Sequence, residues 1–193
     1  MNQIFGDYCE QLPDTQEYII VGFSPSSVPL KQRWRNNGLS ADFLADYLMT
    51  FFPDAGGNLA TATPPAEVKG AVSYISNELL ENAMKFSDDI AVYPISVQLR
   101  LLPDRLVFVL KNSIAVDEVA SFQAFLTELT SADPQELYIA QLEKNAMTEG
   151  NTHSRLGYLT MMTDYDAKVG WKFEEVQESP LIISVATMVT LMV

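Results

Sequence analysis

The stretch Asn77-Glu78-Leu79-Leu80-Glu81-Asn82-Ala83-Met84-Lys85-Phe86-Ser87 carries the residues best suited to chemistry. On a helix turning about 100° per residue, Asn82 falls inside an apolar stripe of Ile75, Leu79 and Phe86, with Glu78 and Lys85 on its borders. A polar group on a buried face finds partners or costs about 1 to 3 kcal/mol. Glu78 and Asn82 stand one helical turn apart, so their side chains leave adjacent turns on the same side. A carboxylate and an amide converging there can position a water or a substrate hydroxyl and offer oxygen ligands to a divalent cation.

These residues need a helix held against a sheet, and the chain supplies both. The spacing predicts a helix from Thr63, as cap, to Ser87, with Pro64 in its first turn and Val68, Val72, Ile75, Leu79, Ala83 and Phe86 as its apolar stripe. Before it stand a strand over Glu17–Phe23, a Ser/Pro turn, and a helix from Leu30 to Phe52. That earlier helix is weakened at Gly38 and could restart at Ser40. After it, Ile95, Val97, Leu99 and Leu101 alternate with polar residues, Pro103-Asp104 turns the chain, and Leu106–Lys111 returns as a hairpin. Helices over 116–131, 134–147 and 156–166 follow, the last two separated by the polar loop 148–155. A second hairpin, 171–176 with 181–193, closes the order. The apolar run Leu181–Val193 is shorter than the roughly 20 residues of a membrane helix and is rich in Ile, Val and Thr, so it reads as a strand. The sum is an α+β fold, a two-layer sandwich with helices on one face of a mixed, mostly antiparallel sheet, in a single domain over 1–193.

Composition narrows the function. With 12 Lys+Arg against 25 Asp+Glu the net charge is -13, and the basic residues form no stripe beyond the small cluster Lys31, Arg33 and Arg35, which argues against a nucleic-acid partner. A hydrophobic content of 48% supports one substantial core and argues against disorder. The single cysteine, Cys9, excludes an internal disulfide and reads as a buried small hydrophobe, while the lone His153 in its polar loop reads as exposed. Trp34, Trp171 and the Met161-Met162 pair read as core. The N-terminus lacks a basic region followed by an apolar run, so no signal peptide is expected and the expected location is cytoplasmic, without a membrane span. Strand-like, apolar ends suggest a homodimer.

The run Glu-Leu-Leu-x-Asn-Ala-x-Lys-Phe resembles the N-box of the GHKL superfamily, which includes histidine kinases, anti-sigma-factor kinases and gyrase. The resemblance implies a Bergerat-type sandwich that binds ATP and Mg²⁺, with Glu78 as general base, Asn82 as the Mg²⁺ ligand and Lys85 approaching phosphate. The order of elements agrees over most of the chain, with 1–29 as an N-terminal segment and strand and 112–155 as a lid-like insertion. In length, and in lacking a phosphoacceptor His domain, the chain looks closest to the compact SiaB-like kinases of partner-switching systems. Those phosphorylate a serine or threonine on a small antagonist protein, which would be the partner here.

Two glycine motifs of that family are degenerate. Where Asp-x-Gly-x-Gly would follow the first hairpin, the chain reads Leu110-Lys111-Asn112-Ser113-Ile114-Ala115-Val116-Asp117. Asn112 can still accept from an exocyclic amine, but as an uncharged substitute for Asp. The later glycine-rich motif is reduced to Ser154-Arg155-Leu156-Gly157-Tyr158-Leu159, where Gly157 survives at a helix N-terminus and Ser154 and Arg155 could complete an anion site. Two readings of activity follow from this loss. One is a nucleotide-binding signalling module, either a serine/threonine kinase or a catalytically degenerate pseudokinase. The other is a sensory or regulatory protein whose remodelled pocket takes a flavin nucleotide, FAD or FMN, as a photoreceptor or redox sensor would.

Overall fold

The computed structural model describes residues 2–23, 30–51, 64–88, 93–147 and 156–193, with the side chains of 30–37 and 39 outside that set. In chain order the described elements are β1 (Asn2–Gly6), β2 (Tyr18–Phe23), α1 (Leu30–Met49), α2 (Pro65–Phe86), β3 (Ile95–Leu101) and β4 (Arg105–Ile114). They continue with α3 (Val119–Ser131), α4 (Pro134–Met147), α5 (Leu156–Thr163), β5 (Lys168–Glu178) and β6 (Leu181–Met192).

The strands form one six-stranded sheet in the order β1-β5-β6-β4-β3-β2, and every described pairing is antiparallel. Alternation along each strand sends Leu106, Phe108 and Leu110 of β4, Val185 and Val189 of β6, and Trp171 and Phe173 of β5 to one face. There they meet Leu44 and Leu48 of α1, Ile75, Leu79 and Leu80 of α2, and Leu126 of α3 in the main core. The molecule is thus an α+β two-layer sandwich. The opposite face is covered in part by the N-terminal chain: Tyr8 and Leu12 pack on Leu102, Val107, Val109 and Met188. Arg100 Nη2 donates to Pro13 O at 2.9 Å, and Lys172 Nζ bridges Glu10 and Glu174 at 2.7 and 2.9 Å. Gly170 lies directly under the Tyr8 backbone, where a Cβ would have no space.

Several expectations change. Pro64, with φ −57 and ψ 138, occupies the cap position of α2 and makes no side-chain cap bond, while Thr63 lies outside the described residues. The helix α1 runs through Gly38 rather than starting at Ser40. Strand β4 continues past Lys111 to Ile114, because Asn112, Ser113 and Ile114 stay in register with Val185, Ser184 and Ile183 of β6. These three belong to the sheet, not to a lid. Cys9 is exposed, its thiol donating to Gln11 O at 3.2 Å, since the strand-to-strand crossing at 7–13 buries Tyr8 and Leu12 instead. Trp171 and Met161 are fully buried as expected. His153 and the Trp34 side chain lie outside the described residues. The apolar C-terminal run is strand β6, and no described helix is long and apolar enough to cross a membrane.

Candidate functional site

Helix α2 forms because its apolar positions recur every third or fourth residue and Pro65 opens it where a missing N–H costs nothing. Its stripe is buried from Val68 through Ala83. Asn82 therefore points down at the margin of that stripe, half-buried, into a cleft between α2 and the sheet. The cleft encloses about 20 Å³, room for about one water, beneath a mouth open to solvent, so a larger ligand would have to part α2 or α5 from the sheet. Ala83 and Phe86 share its α2 wall, Leu110, Asn112 and Ile114 of β4 with Val185 and Thr187 of β6 form its floor, and Phe122 and Tyr158 close its sides. Asn112 faces this cleft because it shares strand parity with Leu110 and Ile114, and Leu110 stands opposite Thr187.

The polar groups converge in a small knot. The Tyr158 hydroxyl has Thr187 and Asn82 as hydrogen-bonding neighbours, and burial pushes its pKa up. The Trp171 indole lies by the same hydroxyl, but its Nε1 forms no bond of ordinary geometry and is a buried donor without a partner. The two rings meet edge to face, with centroids 5.1 Å apart at 88°. Asn112 Nδ2 donates to Ser113 O at 2.8 Å, which fixes the amide and aims its oxygen elsewhere.

Glu78 sits one turn before Asn82, where α5 crosses α2. A Cβ on Gly157 would come within 3.1 Å of the Glu78 Cδ and closer still to its Oε2, so glycine is what lets α5 lie against the carboxylate. Burial raises the Glu78 pKa first, the negative charge of Glu81 adds to the rise, and Lys85 opposes it. Lys85 itself is exposed and paired with Glu81 at 2.7 Å, an i,i+4 bridge along α2. Ser154 and Arg155 lie outside the described residues. The structure thus brings Asn82 and Asn112 to one cleft, sets Glu78 against Gly157 one turn away along α2, and shows Lys85 turned to Glu81.

Among the described residues no group of three or more His, Cys, Asp or Glu is placed to hold a metal. The oxygens of Glu78 and Asn82 suit a cation that arrives with its own ligands, as Mg²⁺ does on a phosphate chain, because Mg²⁺ commonly takes one or two protein oxygens there. Tyr158 and Thr187 were missed by the sequence reading. Thr187 was legible as the polar residue at an inward position of β6, between Val185 and Val189.

No protein-family model matches the sequence, and no curated protein matches it. Among solved structures, a chain of the crystal structure of the SiaB–SiaC complex from Pseudomonas aeruginosa is similar, with a TM-score of 0.55 and 14% identity. The match covers 90% of this chain and 89% of that one. At that identity the likeness shows the fold, and it spans nearly the whole sandwich.

Proposed function

We propose that the cleft between α2 and the sheet binds a nucleotide, and that the protein is a nucleotide-binding module of a partner-switching pathway with little phosphoryl transfer of its own. The observation that carries this is the convergence of Asn82 on α2 with Asn112 and Thr187 on the floor of one cleft, with the Glu78 carboxylate one helical turn from Asn82. Asn82 would take a place in the coordination of nucleotide-borne Mg²⁺, which when bound neutralises charge on the phosphates. The desolvated Glu78 holds its proton to higher pH than an ordinary carboxylate, which suits a group that accepts a proton from a hydroxyl. The Asn112 oxygen would offer a polar contact to a base lying on the apolar floor. Rapid turnover would need backbone wrapped around the phosphates, and the chain has no glycine between Leu110 and Asp117. A protein partner fits the same reading, since the similar solved chain comes from a two-protein complex.

Calorimetric titration with ATP or ADP in Mg²⁺ tests the proposal. Wild-type protein should bind, and Asn82→Ala should weaken binding about tenfold or more, some 1.4 kcal/mol. Equal affinity in the variant would overturn the assignment. A yellow preparation absorbing between about 350 and 500 nm would instead put a flavin nucleotide in the cleft and displace the ATP reading.

A further inference from the structure

Strand β2 ends the sheet, and among the described residues no further strand pairs with it. Its hydrogen-bonding pattern can be read from one bond: Leu101 N donates to Glu17 O at 2.9 Å, in register with Tyr18 opposite Arg100. Antiparallel ladders alternate, so Ile19, Val21 and Phe23 share the inward sense of Glu17 and turn their N–H and C=O to β3. Tyr18, Ile20 and Gly22 turn theirs outward. The same three residues carry the exposed side of the strand, with Tyr18 51% and Ile20 55% exposed. Natural sheets blunt such an edge with Lys, Pro or a bulge, and Tyr18–Phe23 has none of these.

We propose that β2 is the contact by which two copies of this chain pair, antiparallel, about a twofold axis through Ile20. The strand is self-complementary about that point. Ile20 faces its own copy and Tyr18 faces the partner copy's Gly22, so each outward N–H and C=O finds a mate in about six hydrogen bonds. Gly22 leaves the tyrosine ring room, because the nearest atoms a Cβ there would meet are at 3.7 and 3.9 Å. Charge points to the same place. Two copies of a chain carrying -13 repel over most approaches, but β2 holds no charged residue. The flanking Glu17 pairs with the partner copy's Phe23 position, which puts the two Glu17 residues about 20 Å apart, more than twice the screening length of about 8 Å. The opposite edge is a poorer template, since β1 begins Asn2-Gln3 and breaks at Gly6 with φ 62. Phe43, 54% exposed and stacked on Tyr47 of α1, extends the apolar margin on the helix side, where Tyr47 lines a groove with Ile19. So short a ladder buries less than a standard interface, so the pairing is weak and depends on concentration.

Sedimentation equilibrium of the full chain tests this. The wild-type mass should rise from 21.5 kDa toward twice that value with concentration. Ile20→Lys and Ile20→Glu should each stay monomeric where wild type pairs, a loss of tenfold or more in association, and an equimolar mixture of the two should recover the dimer mass. The control Ile4→Lys on β1 should pair like wild type. A wild-type monomer throughout, a dimer indifferent to Ile20→Lys, a mixture that fails to recover, or a dimer lost in Ile4→Lys would each overturn the proposal.

Discussion

Replacing Tyr158 by phenylalanine removes one oxygen from the wall of the cleft and leaves the ring, with its edge-to-face contact to Trp171, in place. The hydroxyl has two other neighbours of different standing. Thr187 is 2% exposed and would be stranded without a partner, whereas Asn82 is half-buried at the cleft and can turn to water. A stranded buried hydroxyl costs about 1 to 3 kcal/mol, partly offset because the tyrosine oxygen no longer has to be desolvated. The expected net loss is about 1.5 kcal/mol, or roughly 3 to 6 °C in Tm for a chain of this size. Urea unfolding followed by tryptophan fluorescence measures it. Thr187→Val takes one of its two bonds from the tyrosine hydroxyl and, because Asn82 remains beside it, should cost less than Tyr158→Phe, while the double variant removes both members of the pair and should cost about 1 kcal/mol less than the two singles added together. A Tyr158→Phe protein within about 0.3 kcal/mol of wild type, or singles that simply add, would refute the claim that this knot is bonded.

Two further changes probe the α2–α5 contact. Burial holds the Glu78 pKa above 4.5, so below that pH the carboxyl is neutral in both states and costs nothing. As pH rises the unfolded chain ionises first and folded stability falls, until the folded carboxyl ionises as well. Glu78→Gln abolishes that slope and should gain on wild type as pH rises above about 4.5 in urea midpoints; a variant that loses ground as pH rises would contradict the burial. Gly157→Ala would force the Glu78 carboxylate aside, which a side-chain end can do cheaply, so stability should change by about 1 kcal/mol or less. The Glu78 pKa, followed by carboxyl NMR, should fall toward 4.5 as the group turns to water, and an unmoved titration would show that Gly157 does not set its position.

Much of the fold was legible because the elements that build the core are strongly periodic. The stripe of α2 and the alternation in β3 each match one period over at least two turns or three pleats, and β6 is marked by its run of Ile, Val and Thr. What escaped has physical causes. Strand β1 is short and polar at its start, and only Phe5 of its five residues packs into the core, so Asn2–Gly6 carries no period that fixes a strand's bounds there. The end of β4 was placed at Lys111 because Asn112 and Ser113 are poor strand formers; ten paired positions with β6 override that local preference. At the site, Glu78 and Asn82 were legible from their spacing on an apolar face. The Glu81–Lys85 bridge had the same i,i+4 spacing, and reading Lys85 only toward phosphate overlooked the nearer carboxylate.

The extension of β4 also explains what kind of site this is. In the resembled family, glycines after the first hairpin let bare backbone approach the ligand. Here strand β4 runs on to Ile114, and the side chains of Asn112 and Ile114 line the cleft. The floor is consequently apolar, with Thr187 and the fixed Asn112 amide as polar points, and it contributes shape more than charge. Under the proposed nucleotide reading, recognition of an anion would fall to α2 and the start of α5. On α2 the local carboxylates Glu78 and Glu81 face Lys85, which is already paired to one of them. A polyanion entering this cleft meets a chain of net charge -13 and so must bring its own divalent cation, for which Asn82, uncharged and half-buried beside a carboxylate, is the ligand type that adds coordination without adding a further negative charge.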